Sequence, residues 1–388
     1  MPWIFSRRNS TVVDRGEPTG DSFAFRLFRA LVQSDPLRNV VLSPCSVMFC
    51  LGMMYEGASG DTRQAIADTL GISQLDESGR NSAIVRLKSA LQTSSGDLQL
   101  LIANSLWCNR EVKVRADYVA RMRVDFDALV ESVDFSSGNT VRRINEWVRD
   151  NTGGKISRMI DDIPALAILI ALNAIYFKGL WDVPFERSMT QDELFVTGAG
   201  PSKKVPMMRQ SGRYRYLERR TFQAVALPYR GNRTAMYVFL PAPKQSLADF
   251  ENTLTSGEWQ KWISQFEPVR GMVGLPRFAV NYANCLNGPL KDMGMAIAFD
   301  RQRARFDGIC APPSENGIEL VLHRAMAEVN EEGTEAAAVT GMIECLSARR
   351  PRPERTFKMI VYRPFIFVIG DEHSGSLLFL GAVMDPTG

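Results

Sequence analysis

The spacing of apolar residues changes character near the middle of this 388-residue chain, and the two halves must nevertheless fold together. Up to about residue 150, apolar side chains recur every three to four positions, the period of helices with one buried face. Phe23, Leu27, Ala30 and Leu31 follow Asp21-Ser22, which supply a cap, so the fold is expected to begin near Asp21. After a short strand, Val40-Val41-Leu42, the punctuation Ser43-Pro44-Cys45-Ser46 opens a mostly apolar helix running through Val47, Leu51 and Met54 to Gly57. Further helical patterns cover 62–70, closed by Gly71, then 82–91, 119–126 and 140–150. From Leu166 the period shortens to two, and 166–177, 214–217, 224–229, 234–240, 273–280, 365–369 and 377–383 read as strands. The last two are joined by Gly370-Asp371-Glu372-His373-Ser374-Gly375 as a hairpin. No linker-like or repetitive segment separates the halves, so one α+β domain is expected over residues 20–388, behind a polar, disordered lead at 1–19.

Composition narrows the function classes. The 46 basic and 43 acidic residues nearly cancel, to a net +3, so no nucleic-acid or membrane partner is expected from charge. Neither apolar stretch, 163–177 or 364–369, reaches the roughly 20 residues of a membrane span. The N-terminus, Met1-Pro2-Trp3-Ile4-Phe5-Ser6-Arg7-Arg8, lacks the apolar run of an export signal. Six cysteines (Cys45, Cys50, Cys108, Cys285, Cys310, Cys345) show no CxxC pairing and only His323 and His373 accompany them, so no metal or cofactor is expected. Two histidines outside any nucleophile-elbow context give no hydrolase triad, and the chain is not read as an enzyme. Sequons at Asn9 and Asn232 would matter in a secreted form.

One segment breaks the local rules. Between Glu328 and Met342, Glu335 to Ala338 favours helix while Gly333, Val339, Thr340 and Gly341 oppose it, and no apolar face extends as far as Thr356. It ends in Arg349-Arg350-Pro351-Arg352-Pro353-Glu354-Arg355, which must be exposed. If extended, the run would turn Thr334, Ala336, Ala338 and Thr340 to one side, each small enough to enter a sheet against a packed core. The segment reads as a strand held in reserve.

Ordered motifs along nearly the whole chain make it resemble the serpin family. They are Asn39-Val40-Val41-Leu42-Ser43-Pro44-Cys45-Ser46-Val47, Leu172-Asn173-Ala174-Ile175-Tyr176-Phe177-Lys178-Gly179-Leu180-Trp181, Leu275-Pro276-Arg277-Phe278, Glu328 to Ala338, and Arg363-Pro364-Phe365-Ile366-Phe367. The resemblance implies about nine helices around three β-sheets and an exposed reactive loop, about 331–356. It implies a monomeric suicide-substrate inhibitor of a serine-type protease: the cut loop inserts into the central sheet and carries the acyl-enzyme with it. Strand insertion of this kind is an established strain-release switch. A non-inhibitory carrier, chaperone or plain substrate is the alternative within the same family. An extracellular setting follows from the resemblance, with a cytoplasmic one left open by the N-terminus.

By the same resemblance, Glu331, Gly333, Thr334, Ala336, Ala337 and Ala338 form the hinge. Neither a charge nor Pro occupies the positions that would face inward, which points to the inhibitory type. Ser43, Ser46, Asn173 and His323 correspond to the polar shutter beneath the central strands, Trp181 and Arg277 to the breach at their upper end, with Arg277 and Glu331 forming an ion pair. The family's count from Gly333 places the cut between Ser347 and Ala348, which fits an elastase-like or chymotrypsin-like enzyme. Arg349-Arg350 is the rival bond and would draw a trypsin-like enzyme. Arg80, Arg86 and Lys88 are too sparse for a glycosaminoglycan site and read as a solvated face.

Overall fold

Strand pairing ties together the two halves that periodicity separates. A computed structural model describes residues 19–91, 97–164, 166–198, 200–310, 317–332 and 355–387. Fourteen strands lie among them: β1 (Val40–Leu42), β2 (Leu98–Asn109), β3 (Leu129–Val133), β4 (Leu169–Gly179), β5 (Gln191–Phe195), β6 (Lys203–Glu218), β7 (Phe222–Pro228), β8 (Thr234–Pro241), β9 (Glu267–Pro276), β10 (Phe278–Cys285), β11 (Ile318–Val329), β12 (Thr356–Ile360), β13 (Phe365–Asp371) and β14 (Leu377–Val383). Nine α-helices accompany them: α1 (Thr19–Ser34), α2 (Pro44–Gly57), α3 (Gly60–Leu70), α4 (Glu77–Leu91), α5 (Ala116–Asp125), α6 (Gly138–Asn151), α7 (Leu247–Thr253), α8 (Ser256–Ile263) and α9 (Asn287–Leu290).

The central sheet has the order β10-β11-β4-β2-β3. A second hydrogen-bonded network runs β1-β14-β13-β8-β7-β6-β9-β12, with β5 on β6. Its halves meet in β6, which pairs with β9 from Met207 to Tyr216 and with β7 from Arg215 to Glu218. The three sheets implied by the resemblance are thus one separate sheet and two that share a strand.

Several boundaries move. The first helix starts at Thr19, so Asp21 lies in its first turn instead of capping it. The run 273–280 is two strands, β9 and β10, broken by Arg277 and assigned to different sheets. The helical first half also contributes β2 and β3 to the central sheet, because burial on a sheet overrides weak local propensity. The hairpin of β13 and β14 stands where alternation puts it.

Beneath the central sheet lies α2, buried from Pro44 through Tyr55, as its all-round apolar sequence requires. Cys45, Cys50, Cys108 and Cys310 are buried and Cys285 is half-buried; Cys345 lies outside the described residues. Arg80 and Lys88 on α4 are not simply solvated: they donate to the carbonyls of Leu75 and Val124. Among the described residues no helix is long and apolar enough to cross a membrane.

Candidate functional site

Strand β4 is apolar and buried along almost its whole length, apart from Asn173 at its centre. A polar side chain there is costly unless its groups are all bonded. The register supplies the partners, since Asn173 stands opposite His323 of β11 on one side and Asn104 of β2 on the other. Its amide Nδ2 donates to Ser46 Oγ and to Asn104 Oδ1, and its Oδ1 lies 2.6 Å from His323 Nδ1.

The far end of the histidine reaches the helix below. Ser43 caps α2 with its hydroxyl, accepting from the Ser46 N–H at 3.3 Å, while its own N–H donates to His323 Nε2 at 3.3 Å. A backbone N–H can only donate, so Nε2 is the acceptor and the ring proton sits on Nδ1, donated to Asn173. The imidazole is 1% exposed. Burial pushes its pKa down to about 3, outweighing the Asn173 hydrogen bond that works the other way, so the ring is neutral at physiological pH.

Ser43, Ser46, Asn173 and His323 are therefore brought together as one closed network, with Asn104 as a fifth member that no sequence motif singles out. The available signal was a mid-strand Asn in the apolar run Leu98 to Cys108, matching the mid-strand Asn of β4. Asn173→Ala would strand Ser46, Asn104 and the His323 N–H, each at roughly 1–3 kcal/mol. We expect a markedly lower urea midpoint, with Asn173→Asp no milder, because it keeps the acceptor for His323 but loses both Nδ2 donors and buries a carboxylate beside a neutral ring; an unchanged midpoint in either variant would contradict this account.

The upper end of the same strand pair is different. Pairing of β4 with β2 continues to Gly179 and that of β10 with β11 to Val329, but β4 and β11 pair only as far as Phe177 and Ala327. Beyond that level the chain after β11 is clasped from the side. Trp181 donates from Nε1 to the Asn330 carbonyl at 2.9 Å and from its backbone to that of Glu332, and the Phe185 N–H donates to Glu331 O at 2.7 Å. Trp181 is held by stacking on Tyr229, with ring centroids 4.5 Å apart. Gly179 permits that close approach, since a Cβ there would come within 2.7 Å of the Tyr229 ring.

Glu331 is fixed by a two-pronged contact from Arg277 and by Thr190 Oγ1 at 2.8 Å. Burial pushes its carboxyl up, but the hydrogen bonds from Arg277 and Thr190 win and hold it below the usual carboxylate range. The carboxylate is 3% exposed while the Arg277 side chain is 48% exposed, so this is no ordinary surface pair. Arg187, which the motifs also leave unmarked, bonds Glu332 more superficially. The expected hinge residues Gly333, Thr334, Ala336, Ala337 and Ala338, and both candidate bonds, Ser347-Ala348 and Arg349-Arg350, lie outside the described residues.

Strand order, buried polar network and clasped exit point can be compared with known proteins. The family model described as "Serpin (serine protease inhibitor)" matches residues 19–386. Human antithrombin-III is 32% identical over 398 residues, covering 99% of this chain and 82% of that protein. Among solved structures, the thermophilic serpin tengpin in its native state superposes with a TM-score of 0.85 at 26% identity, covering 95% of this chain and 93% of that one. The complex of thyroxine-binding globulin with thyroxine gives a TM-score of 0.83 at 27% identity, covering 95% and 99%. With the family model spanning nearly its whole length and its curated and structural relatives agreeing, this chain belongs to the serpin family.

Proposed function

We propose that the protein inhibits serine proteases as a suicide substrate, using 333–354 as bait and spring. The observation that carries this is the parallel pairing of β4 with β11, which ends short at the end where the chain leaves for the loop. A strand that follows β11 directly can only run back antiparallel to it. Because β4 is parallel to β11, that strand would be antiparallel to β4 as well, and could bond both neighbours at once. One slanted parallel ladder would be exchanged for two antiparallel ones, which are slightly stronger per residue.

In the reaction, the protease serine Oγ attacks the carbonyl carbon of Ser347, or of Arg349 in the rival register. The peptide C–N bond breaks, an acyl ester joins inhibitor to enzyme, and the amine of Ala348 or Arg350 leaves with the proton. Insertion must then outrun hydrolysis of that ester. It requires the Asn173–His323 contact to part, so the buried network acts as a latch whose members re-pair around the new strand. Arg277, Thr190 and Trp181 act as the clasp where insertion begins.

The likeness to thyroxine-binding globulin keeps a carrier reading in view, since overall fold does not separate the two. The hinge favours inhibition: Thr334, Ala336 and Ala338 present neither charge nor ring to the core. Incubation with trypsin, elastase, cathepsin G and chymotrypsin tests it. We expect an SDS-stable complex with at least one, and a new N-terminus at Ala348; one at Arg350 moves the bait to Arg349. Clean cleavage by all four, with no complex, would overturn inhibition.

A further inference from the structure

We infer that the cleft between α1, α2, α4 and the β13–β14 turn binds a single-chain carboxylic acid, a fatty acid of medium length, with its head at Tyr55 and Arg80 and its tail toward the turn. Such a site does not depend on the inhibitory reading. Pro44, Met48 and Tyr55 of α2 line one wall, and Arg80, Ile84 and Leu87 of α4 line another. Positions three, four or seven apart lie on one side of a helix, so each wall is a single helical face. With its mouth included, the cleft holds about 910 Å³ of space. Apolar walls with a few placed polar groups, at this size, are the make-up of a small-molecule site.

The two ends of the cleft differ. At the turn end, the Cys45 thiol donates to the Leu377 carbonyl at 3.1 Å, and Arg233 bonds both Asp371 and the carbonyl of Ser89 in the last turn of α4. The start of α2 thus lies on the side of the turn where α4 ends, and the two helices run in opposite senses. Tyr55, late in α2, and Arg80, early in α4, share the other end, where Arg80 also donates to the Leu75 carbonyl at 2.7 Å. Pro44, Met48 and Leu87 line the turn end with hydrocarbon, beside Ser374 and Ser376.

Tyr55 is only 5% exposed, yet its hydroxyl takes part in no hydrogen bond among the described residues and is not sealed off from solvent. It is open to an acceptor brought by a ligand. Arg63 lies over the Tyr55 ring, 4.3 Å from its centre, and Arg80 has no ion-pair partner among the described residues. Acidic groups close by in the chain are engaged: Asp76 accepts from the Gly79 N–H at 2.7 Å, and Glu56 is bonded by Arg121. This end is therefore cationic and supplies donors, which suits a carboxylate, the group a guanidinium can grip with two prongs. Arg86 also borders the cleft, but it is exposed and lies one position from Leu87, toward the turn. From Pro44 to Tyr55 the helix rises about 16 Å, the length of an extended acid of about twelve carbons.

The test is calorimetric titration of the full chain with dodecanoate, below the concentration at which it forms micelles, beside octanoate and dodecylammonium. We expect one saturable site per chain for dodecanoate, with octanoate and dodecylammonium each at least about tenfold weaker, since buried methylenes and charged hydrogen bonds both contribute. Tyr55→Phe removes a hydroxyl that has no protein partner, so its urea midpoint should match the wild type while its affinity for dodecanoate falls about fivefold. Arg80→Met should lower that affinity about tenfold, and Arg86→Met should bind as the wild type does. Absence of saturable binding, equal affinity for dodecanoate and dodecylammonium, or wild-type affinity in Tyr55→Phe would overturn the inference. A loss in Arg86→Met with none in Arg80→Met would do the same, because the head would then sit at the wrong end.

Discussion

Thr334→Arg is expected to turn the protein from inhibitor into substrate: complex disappears while the loop is still cut at the wild-type rate. Thr334 is the first inward-facing residue of the proposed spring, so an arginine there must be drawn beneath the sheet before the strand can zip down. Burying an unpaired charge costs several kcal/mol. If roughly 4 kcal/mol of it falls on the insertion barrier, insertion slows about a thousandfold, at one factor of ten per 1.36 kcal/mol. Hydrolysis of the acyl ester, untouched by the change, then wins. Glu335→Arg is the control, because alternation turns that position outward and complex formation should persist. Equal behaviour of the two variants, measured by SDS gel and by moles of inhibitor consumed per mole of enzyme, would remove alternation from the mechanism.

The second large effect is a pH dependence that runs through His323. Its folded pKa, about 3, lies below the 6.5 of an unperturbed imidazole. The unfolded chain therefore binds this proton first as pH falls. The stability carried by the neutral ring is complete above pH 6.5 and erodes as pH drops from 6.5 toward about 3, by up to ~1.4 kcal/mol per pH unit. At pH 4.5 the loss is on the order of 2–3 kcal/mol, placed on the contact that must part for insertion.

Glu331 works in the same direction but lower, where its depressed carboxyl finally protonates. Glu251 works in the opposite sense. Burial raises it to about 7, so its contribution is present at low pH and lost as pH rises through 7. The wild-type slope is thus a sum, and the informative quantity is the difference between wild type and His323→Gln. We expect urea midpoints of wild type to fall more steeply than those of His323→Gln between pH 6.5 and 4.5. Parallel slopes would mean that His323 is not the titrating group.

Local features are legible in consecutive residues. The β13–β14 hairpin follows from two alternating runs and a turn whose residues are contiguous, and α2 from a proline start and an unbroken apolar run. The family motifs select Ser43, Ser46, Asn173, His323, Trp181, Arg277 and Glu331 as residues of interest. They do not say which contacts those residues make. Asn104 escapes because a mid-strand asparagine in β2 looks like any other until β2 is laid beside β4. The burial of Glu331 depends on Thr190 and Arg277, 141 and 54 positions away in the chain, so no window of sequence contains it. The split of 273–280 into two sheets at Arg277 is likewise invisible to periodicity, which runs on through the break.

The proposed spring is what the sequence alone states most clearly. Small residues at every second position from Thr334 to Thr340 need no partner to be recognised, because side-chain size and alternation are properties of consecutive residues. Where that spring could go is decided by tertiary structure. Two strands some 150 residues apart lie parallel, and their pairing stops short at one end. Parallel neighbours must come from distant parts of a chain, since no tight turn can join them, and so the gap is beyond the reach of any local pattern.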